Sequence, residues 1–466
     1  MRTLTLLFLL TLARPPVASA QARDTAPPLR LAEALHRADS AGIANRAAAG
    51  ARAERDGMRF APLRGILPAV RLEASAVRTT DPIGAFGTVL RQRRITAADF
   101  NPVTLNDPAA VSNVGTGLVA EVPLFNADAW LGRTAAERAA DAGHAAADWT
   151  RTATRADVIR AWFGALAAVE RVTAYDAATR AAAAHVKQAE SLQRNGIVTV
   201  SDALLASVKA GEIDADLASA RGDLITAQRG LAILIGDAGT ARAIPSGALP
   251  SAAALRAYAA ADTMIAAVAR ADVRAATLGA AAASTDAERA RKTLLPRLNG
   301  FARYDWNDPN RLYGGDKNWT VGVMASWSPF TGAAELAEQR ATQGRAIQAT
   351  AWADGAAAQA RFESERATTD LRVALLRLDI AERGVTQATD AHRIVTRRYE
   401  GGLASVTELL DASASETHAA TMFAKARYDA VAALAARRLA LGLDPAALAA
   451  LDTTNSRQQP STDTDR

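Results

Sequence analysis

The chain has 466 residues, and its 5% of aromatic residues together with frequent alanine runs favour long helices over an aromatic-rich globular core. A formal net charge of +5 is too small an excess to indicate nucleic-acid binding. The absence of cysteine excludes disulfides, thiolate metal sites and a lipidated cysteine anchor.

Residues 1–20 have the pattern of a cleaved secretory signal. Arg2 is followed by an apolar run over 4–12, and the segment ends in the small residues "ASA" at 18–20. Cleavage there would remove Arg2 and Arg14 and lower the formal net charge from +5 to +3. We therefore expect an exported protein. No later run of eighteen apolar residues occurs, so any membrane crossing must use strands.

The remaining chain is predicted to be a tandem duplication. Three landmarks recur at an offset of 205 or 206 residues: Gly196 with Gly402, "LIG" at 234–236 with "ALG" at 440–442, and "PLFN" at 123–126 with "SPFT" at 328–331. Constant spacing through three landmarks indicates two structural repeats. We assign the repeats to 27–236 and 252–445, a linker to 237–251, and a disordered polar tail to 452–466.

Each repeat contains two segments in which apolar and polar residues alternate with a period of two. The predicted strands span about 68–78, 115–125, 296–306 and 318–329. In the first, Val70 and Leu72 alternate with Arg71 and Glu73, so one face is apolar and the other faces water. Two polar segments, 77–114 and 307–318, are interpreted as the loops that join these strands.

The length of about ten residues suits strands that cross an outer membrane. Trp306, Trp319 and Trp327 lie at strand ends, where aromatic girdles occur at membrane interfaces. Four strands cannot close a barrel alone, so closure would need several copies of the chain. The alternative is a soluble pair of β-hairpins packed on a core.

Most of the other residues have helical character. Long helices are predicted at 126–194 and 332–400, each about 100 Å in length, because these segments lack proline. Shorter helices follow at 201–236 and 405–441, and helices at about 30–64 and 262–294 lead into the strands. Helices of this length are expected to pack side by side as antiparallel coiled coils.

The order of these elements, their duplication, and the turn "GGLASVTELLDA" at 401–412 resemble the TolC-like outer-membrane efflux protein family. The resemblance implies a mainly α protein with membrane strands, in which a homotrimer closes a 12-stranded β-barrel in the lipid of the cell outer membrane. The helices would continue it as a periplasmic α-barrel. The implied function is the exit duct of a tripartite efflux or type I secretion system, with a periplasmic adaptor and an inner-membrane transporter as partners.

The turn at 401–412 and its copy at 195–206 would be the periplasmic tips, where a long helix folds back on a shorter one. Gly196, Gly401 and Gly402 supply backbone freedom for the reversal. Ser201 or Ser405, with an acid three residues later in the second copy, has the spacing of a capping box.

Two acids near this turn are candidate pore residues. Glu408 and Asp411 are three residues apart on one helical face, so threefold symmetry would stack two rings of carboxylates. In the family that this chain resembles, the matching acids line the entrance constriction, and we predict a ring that favours cations. The alternative for Glu408 is a charge that interacts only with the dipole at its helix N-terminus.

The same resemblance implies a closed-state latch between Asp202 and Tyr399, since a phenol can donate a hydrogen bond to a carboxylate. Asp202 could instead serve only the start of its helix. Position 404 is alanine, where some family members carry an arginine that bonds to the neighbouring protomer. The complete latch is therefore not expected here.

An enzyme is not predicted. The five histidines are scattered, and the chain has no His-Glu-x-x-His motif and no phosphate-binding glycine loop, so no catalytic residue, cofactor or metal site is expected. The main alternative to a duct is a periplasmic coiled-coil scaffold or adaptor that never enters the membrane. Such a protein would explain the helices but not the four alternating strands.

Overall fold

The structure is a computed structural model that describes residues 28–239, 242–330 and 332–452. The predicted signal peptide lies outside the described residues, as does the predicted tail after residue 452. The helices of the described part are α1 (Leu31–Ala41), α2 (Ile43–Met58), α3 (Pro82–Arg91), α4 (Pro102–Asn106), α5 (Ala127–Arg194), α6 (Val200–Leu234), α7 (Ala252–Thr263), α8 (Ala271–Lys292), α9 (Ala334–Glu400) and α10 (Val406–Ala440). The strands are β1 (Ala69–Thr79), β2 (Val111–Phe125), β3 (Arg297–Asp308) and β4 (Asp316–Ser326).

The four strands form one antiparallel sheet in the order β1-β2-β3-β4, which leaves β1 and β4 at its edges. The register aligns the alternating apolar positions of the four strands on one face, because Leu72 lies opposite Leu118, Leu118 opposite Tyr304, and Tyr304 opposite Trp319, while Val119 and Phe301 lie on the other face. The alternation predicted in each separate strand thus combines into one continuous apolar face.

The other face of the sheet is charged. Arg303 lies 3.3 Å from Glu73 across the sheet and 2.8 Å from Asp305, and Arg71 lies 3.6 Å from Glu121. These exposed ion pairs each stabilise the sheet by only about 0–1 kcal/mol, so their main significance is that they mark a water-facing surface.

The helices form two successive groups, one near the sheet and one at the far end, and the long helices α5 and α9 belong to both. Near the sheet, α5 lies between α2 and α8, and α8 contacts α9; at the far end, α5 contacts α6 and α10, and α10 contacts α9. At 1.5 Å per residue each long helix spans about 100 Å. No helix among the described residues combines the length and apolar character needed to cross a membrane.

A buried cluster holds the middle of the molecule together. Trp162 and Phe163 of α5 are fully buried there against residues of α6, α9 and α10, including Leu231, Leu378 and Leu434. Burying side chains of this size stabilises the fold by about 1.5–3 kcal/mol each. Alanines make up most of the other buried residues of α5, which allows neighbouring helices to lie close to it.

The helix predicted over 30–64 is wrong in extent. It is divided at Gly42, where an added Cβ would lie 2.4 Å from the carbonyl oxygen of Ala38, and it ends at Met58 before a 3-10 turn at Ala61–Gly65. Because the carbonyl oxygen of Ala38 lies so close to residue 42, only glycine, which has no side chain, fits there.

The helix predicted over 262–294 is wrong at its N-terminal end. Helix α7 ends at Thr263 and α8 begins only at Ala271. In the connecting segment the N–H of Val268 donates to the carbonyl oxygen of Leu441 at 2.8 Å. This tertiary hydrogen bond takes the place of a helical one.

The segment 77–114, interpreted as a loop, contains α3 and α4 and the first residues of β2. Asp81 accepts a hydrogen bond from the N–H of Gly84 at 2.6 Å, and Asn101 accepts one from Val103 at 3.0 Å. Each of these N-caps is followed by a proline, which is favourable in the first helical turn. Local capping thus converts part of a polar loop into two short helices.

Candidate functional site

Two helical hairpins end side by side at the tip farthest from the sheet. Gly196 and Gly402 adopt left-handed backbone conformations with φ of +71° and +70°. Ile197 donates its N–H to Leu192, five residues earlier, and Leu403 donates in the same way to Arg398. A Cβ at either glycine would meet no atom within 4 Å, so it is the positive φ that favours glycine there. Gly401 has an ordinary φ of −83° and does not share this role.

The helix that follows each turn begins with a side-chain cap. Ser405 accepts the N–H of Glu408 at 3.2 Å, as its spacing predicts. In the first copy the cap is Thr199 rather than Ser201, and it forms a reciprocal capping box with Asp202. The Asp202 carboxylate accepts the hydroxyl of Thr199 at 2.8 Å and its N–H at 3.0 Å, and these bonds lower the pKa of Asp202.

A small apolar cluster joins the two hairpins at the tip. Its buried members come from all four helices: Ala189, Ala206, Tyr399, Val406, Leu409 and Leu410. Since these side chains pack across the hairpins, movement of one hairpin away from the other would expose them to water. The cluster therefore favours the arrangement in which the tips lie together.

The structure brings Asp202 and Tyr399 close together without a hydrogen bond between them. Tyr399 is 6% exposed, and its hydroxyl has no hydrogen-bond partner among the described residues. Burial, with a smaller contribution from the negative charge of Asp202, raises the pKa of Tyr399. The Asp202 carboxylate accepts from Thr199 through Oδ2, and no bond joins either of its oxygens to the Tyr399 hydroxyl, so the latch bond implied by resemblance is not formed in this conformation.

Glu408 and Asp411 are exposed in the first turn and the following residues of α10, as their spacing predicts. Arg398 lies 4.0 Å from the Glu408 carboxylate. A hydrogen bond to Glu212, together with the negative charge of Glu212 and, more weakly, that of Asp411, raises the pKa of Lys209 on α6. Each carboxylate therefore has a cation near it, and the surface of the tip has mixed charge within one copy.

The predicted interface tryptophans lie at two levels of the sheet. Trp306 and Trp319 are near the end where β1 joins β2, on the apolar face. Trp327 lies beyond β4, which ends at Ser326, and its indole N–H donates to the carbonyl oxygen of Leu294 at 3.1 Å. Eight residues separate Trp319 from Trp327, about 26 Å along an extended strand.

The sequence patterns did not reveal two other features of the tip region. Ile197, Val200 and Leu403 are apolar residues of the turns that remain exposed. Farther from the turns, toward the sheet, His185 of α5 stacks edge-on against His392 of α9, with ring centroids 6.2 Å apart. Apolar letters within the two glycine turns could have indicated the first feature, but the histidines lie 207 residues apart without a local motif.

The histidine pair is partly buried. Glu416 of α10 bonds to Nδ1 of His392, while the Nε2 atoms of both histidines are buried without a hydrogen-bond partner among the described residues. Burial, and repulsion by His392, lower the pKa of His185. No group of three potential ligands that could hold a metal ion occurs in the part of the chain that the structure describes.

This lowered pKa predicts loss of stability in acid. The folded protein binds a proton at His185 less readily than the unfolded chain, so stability is complete above the unfolded pKa of about 6.5 and declines as the pH falls below it. We expect the thermal midpoint of the parent to fall more steeply between neutral and acidic pH than that of His185→Gln, measured by circular dichroism. His36→Gln, at an exposed position, is the matched control; a parent and His185→Gln that decline in parallel would contradict the assignment.

Comparison with known proteins identifies one family and several solved structures of similar fold. Residues 61–237 and 265–443 match the model of the family described as outer membrane efflux protein. The solved structures that resemble this chain include the outer membrane channel CmeC of Campylobacter jejuni, with TM-score 0.74, 14% identity, and coverage of 88% of this chain and 85% of that chain. They also include VceC of Vibrio cholerae, with TM-score 0.71, 19% identity, and coverage of 88% and 96%. No curated protein gave a significant match.

Proposed function

The chain belongs to the outer membrane efflux protein family and is an outer-membrane exit duct for efflux, and from this premise we propose that three copies close around a common axis to form the duct. The four strands of each copy would contribute to a 12-stranded barrel in the outer membrane. The helices would extend the duct into the periplasm, where the tips form its entrance.

The observation that carries this proposal is the sheet. It has one continuous apolar face, one charged face, and unpaired edges at β1 and β4. A lone sheet with open edges would leave backbone groups unsatisfied in lipid, whereas joining β4 of one copy to β1 of the next pairs them. The apolar face then meets lipid and the charged face lines the lumen.

The helices support the same association. On α9, Ile380 and Ile394 are exposed, and on α6, Leu204 and Val208 are exposed. Both helices lie at the edges of the helical groups, since α9 contacts α8 and α10 and α6 contacts mainly α5. Contact between the α9 of one copy and the α6 of its neighbour would cover these apolar residues.

The hairpin tips are the proposed docking surface for the periplasmic adaptor, which in turn would connect the duct to an inner-membrane transporter. Ile197, Val200 and Leu403 present apolar side chains there. Exposed apolar residues at the end of a long polar helical pair favour burial against a partner. We propose that Glu408 and Asp411 line the entrance, and that Tyr399 helps to keep the tips together through packing.

Strand orientation can be tested by one pair of substitutions. Val323→Arg places a charge on the apolar face, where it is expected to cost about 2–4 kcal/mol near the middle of the bilayer. Thr320→Arg places the same charge on the opposite face, where we expect little effect. The measurement is the amount of trimer in isolated outer membranes for each variant.

The two variants share strand, residue type and charge, so they form a matched pair. Greatly reduced trimer for Val323→Arg alone supports the duct. Equal amounts of trimer would contradict the assignment of faces, and folded protein recovered only from the periplasmic fraction would favour the scaffold.

A further inference from the structure

We propose that residues 80–110, the β1–β2 connection, fold into the outer mouth of the barrel and form a second constriction, at the end of the duct opposite to the hairpin tips. This inference rests on the proposed function, because that function assigns the charged face of the sheet to the lumen. The evidence is the face on which the connection is anchored.

The anchoring residues of the sheet lie on its charged face. Asn307 lies opposite Gly115, and Asn318 lies opposite Asp305. Since side chains alternate along a strand, Asn113, Asn307 and Asn318 share a face with Arg303, which forms the ion pairs described above. All three asparagines are near the end of the sheet where β1 joins β2.

Gln92 holds the connection to this face. It is 2% exposed, and its amide donates to Oδ1 of Asn113 and to the carbonyl oxygen of Ser112, both at 2.9 Å. Asn113 in turn donates to Oδ1 of Asn307 at 2.9 Å, and Asn307 is 6% exposed. Buried amides that are mutually satisfied in this way specify one position of the connection, since displacing it would leave them unpaired.

The connection also reaches the far edge of the sheet. Asn318 of β4 donates its amide to the carbonyl oxygen of Arg91 at 3.2 Å, and Arg93 donates to the carbonyl oxygen of Lys317 at 3.0 Å. The distance from β1 to β4 is three strand spacings, about 14 Å. The connection therefore spans the width of the luminal face of its own copy at this end of the sheet.

The connection is a folded unit. Phe86 of α3 stacks edge-on against Phe100 at 5.8 Å, and Ala85 is 1% exposed. Arg93 has a φ of +51°, a left-handed conformation that is unfavourable for arginine and is retained only where its surroundings impose it. A packed segment of this kind narrows a channel more effectively than a freely moving loop.

The shorter connection between β3 and β4 contacts the other face of the sheet. The N–H of Tyr313 donates to Oγ1 of Thr116 at 3.4 Å, and Thr116 lies on the apolar face, opposite Trp306. The two connections thus fold to opposite faces of the same end of the sheet. In three copies only the longer ones would converge, and they would hinder the passage of large solutes from outside.

Cysteine labelling of intact cells can test this, because the chain has no native cysteine. Thr320→Cys lies on the luminal face below Asn318, and Leu312→Cys lies in the β3–β4 connection at an exposed position. We expect a small maleimide to label both, and a maleimide carrying a bulky polyethylene glycol chain to label Thr320→Cys at least about tenfold more slowly than Leu312→Cys. Adding Gln92→Ala and Asn318→Ala should remove most of this difference.

Each outcome has one meaning. Equal labelling of both cysteines by the bulky reagent in the otherwise unchanged protein would overturn the constriction while leaving the duct intact. Failure of even the small reagent to reach Thr320→Cys after Gln92→Ala and Asn318→Ala have been added, with Leu312→Cys labelled, would instead contradict the luminal face and with it the proposed function. A labelling difference that persists unchanged after Gln92→Ala and Asn318→Ala would refute the anchoring.

Discussion

Replacing Asp262 by alanine is expected to destabilise the fold by about 3–5 kcal/mol, because it removes the only carboxylate between two buried arginines among the described residues. Asp262 is 0% exposed, and the side chains of Arg437 and Arg438 are 6% and 9% exposed. Arg437 donates to Oδ2 of Asp262 at 2.6 Å and to its carbonyl oxygen at 3.0 Å, while Arg438 donates to Oδ1.

The size of the effect follows from what remains after the substitution. Two guanidinium groups would stay buried without a carboxylate, and the carbonyl oxygens of residues 262 and 444 would be among the few acceptors left to them. Uncompensated buried charge costs far more than the loss of an exposed pair. The ion pairs also fix the end of α7 against α10, so we expect the segment between α7 and α8 to become accessible to protease.

The measurement is thermal unfolding of the detergent-purified protein, followed by circular dichroism at a fixed scan rate. Asp379→Ala is the matched control, since Asp379 also pairs with an arginine, Arg256 at 2.8 Å, but both side chains are about 40% exposed. That pair should contribute about 0–1 kcal/mol. An Asp262→Ala variant as stable as Asp379→Ala would show that the buried ion pairs of Asp262 do not hold α7 and α10 together.

The ion pairs of Asp262 also show what sequence patterns cannot reveal. Asp262 and Arg437 are 175 residues apart, and each looks like an ordinary charged residue on a helix. Their pairing depends on how α7 packs against α10, which no local period encodes. Gly42 is a similar case, because its need for a small residue arises from the carbonyl of Ala38 in the preceding turn and from how closely α6 approaches.

Other features followed directly from local pattern. The alternation in Leu72, Leu118 and Val323 fixed the apolar face, since the side-chain period of a strand leaves only two choices. The absence of proline from 127–194 allowed one continuous helix. The capping box of α6 also has a local pattern, Thr199 followed three residues later by Asp202, although the spacing considered in the sequence analysis predicts the cap at Ser201.

Removing both tip carboxylates, with Glu408→Ala and Asp411→Ala together, is expected to reduce the cation preference of the open duct. Three copies would bring six carboxylates to the entrance, where fields from a narrow, low-dielectric wall concentrate cations. Arg398, 4.0 Å from Glu408, offsets part of this charge, so we expect a moderate decrease of about two- to threefold in the cation-to-anion permeability ratio.

The measurement is the reversal potential of single channels of the purified trimer in a planar bilayer under a salt gradient. The control is Asp216→Ala with Asp223→Ala, which removes the same charge from exposed positions of α6, about 25 to 35 Å from the tip. Only the tip variant should lose selectivity and become less sensitive to block by divalent cations. If both double variants keep the selectivity of the parent, then Glu408 and Asp411 act only at the start of their helix, and the constriction must be formed by other residues.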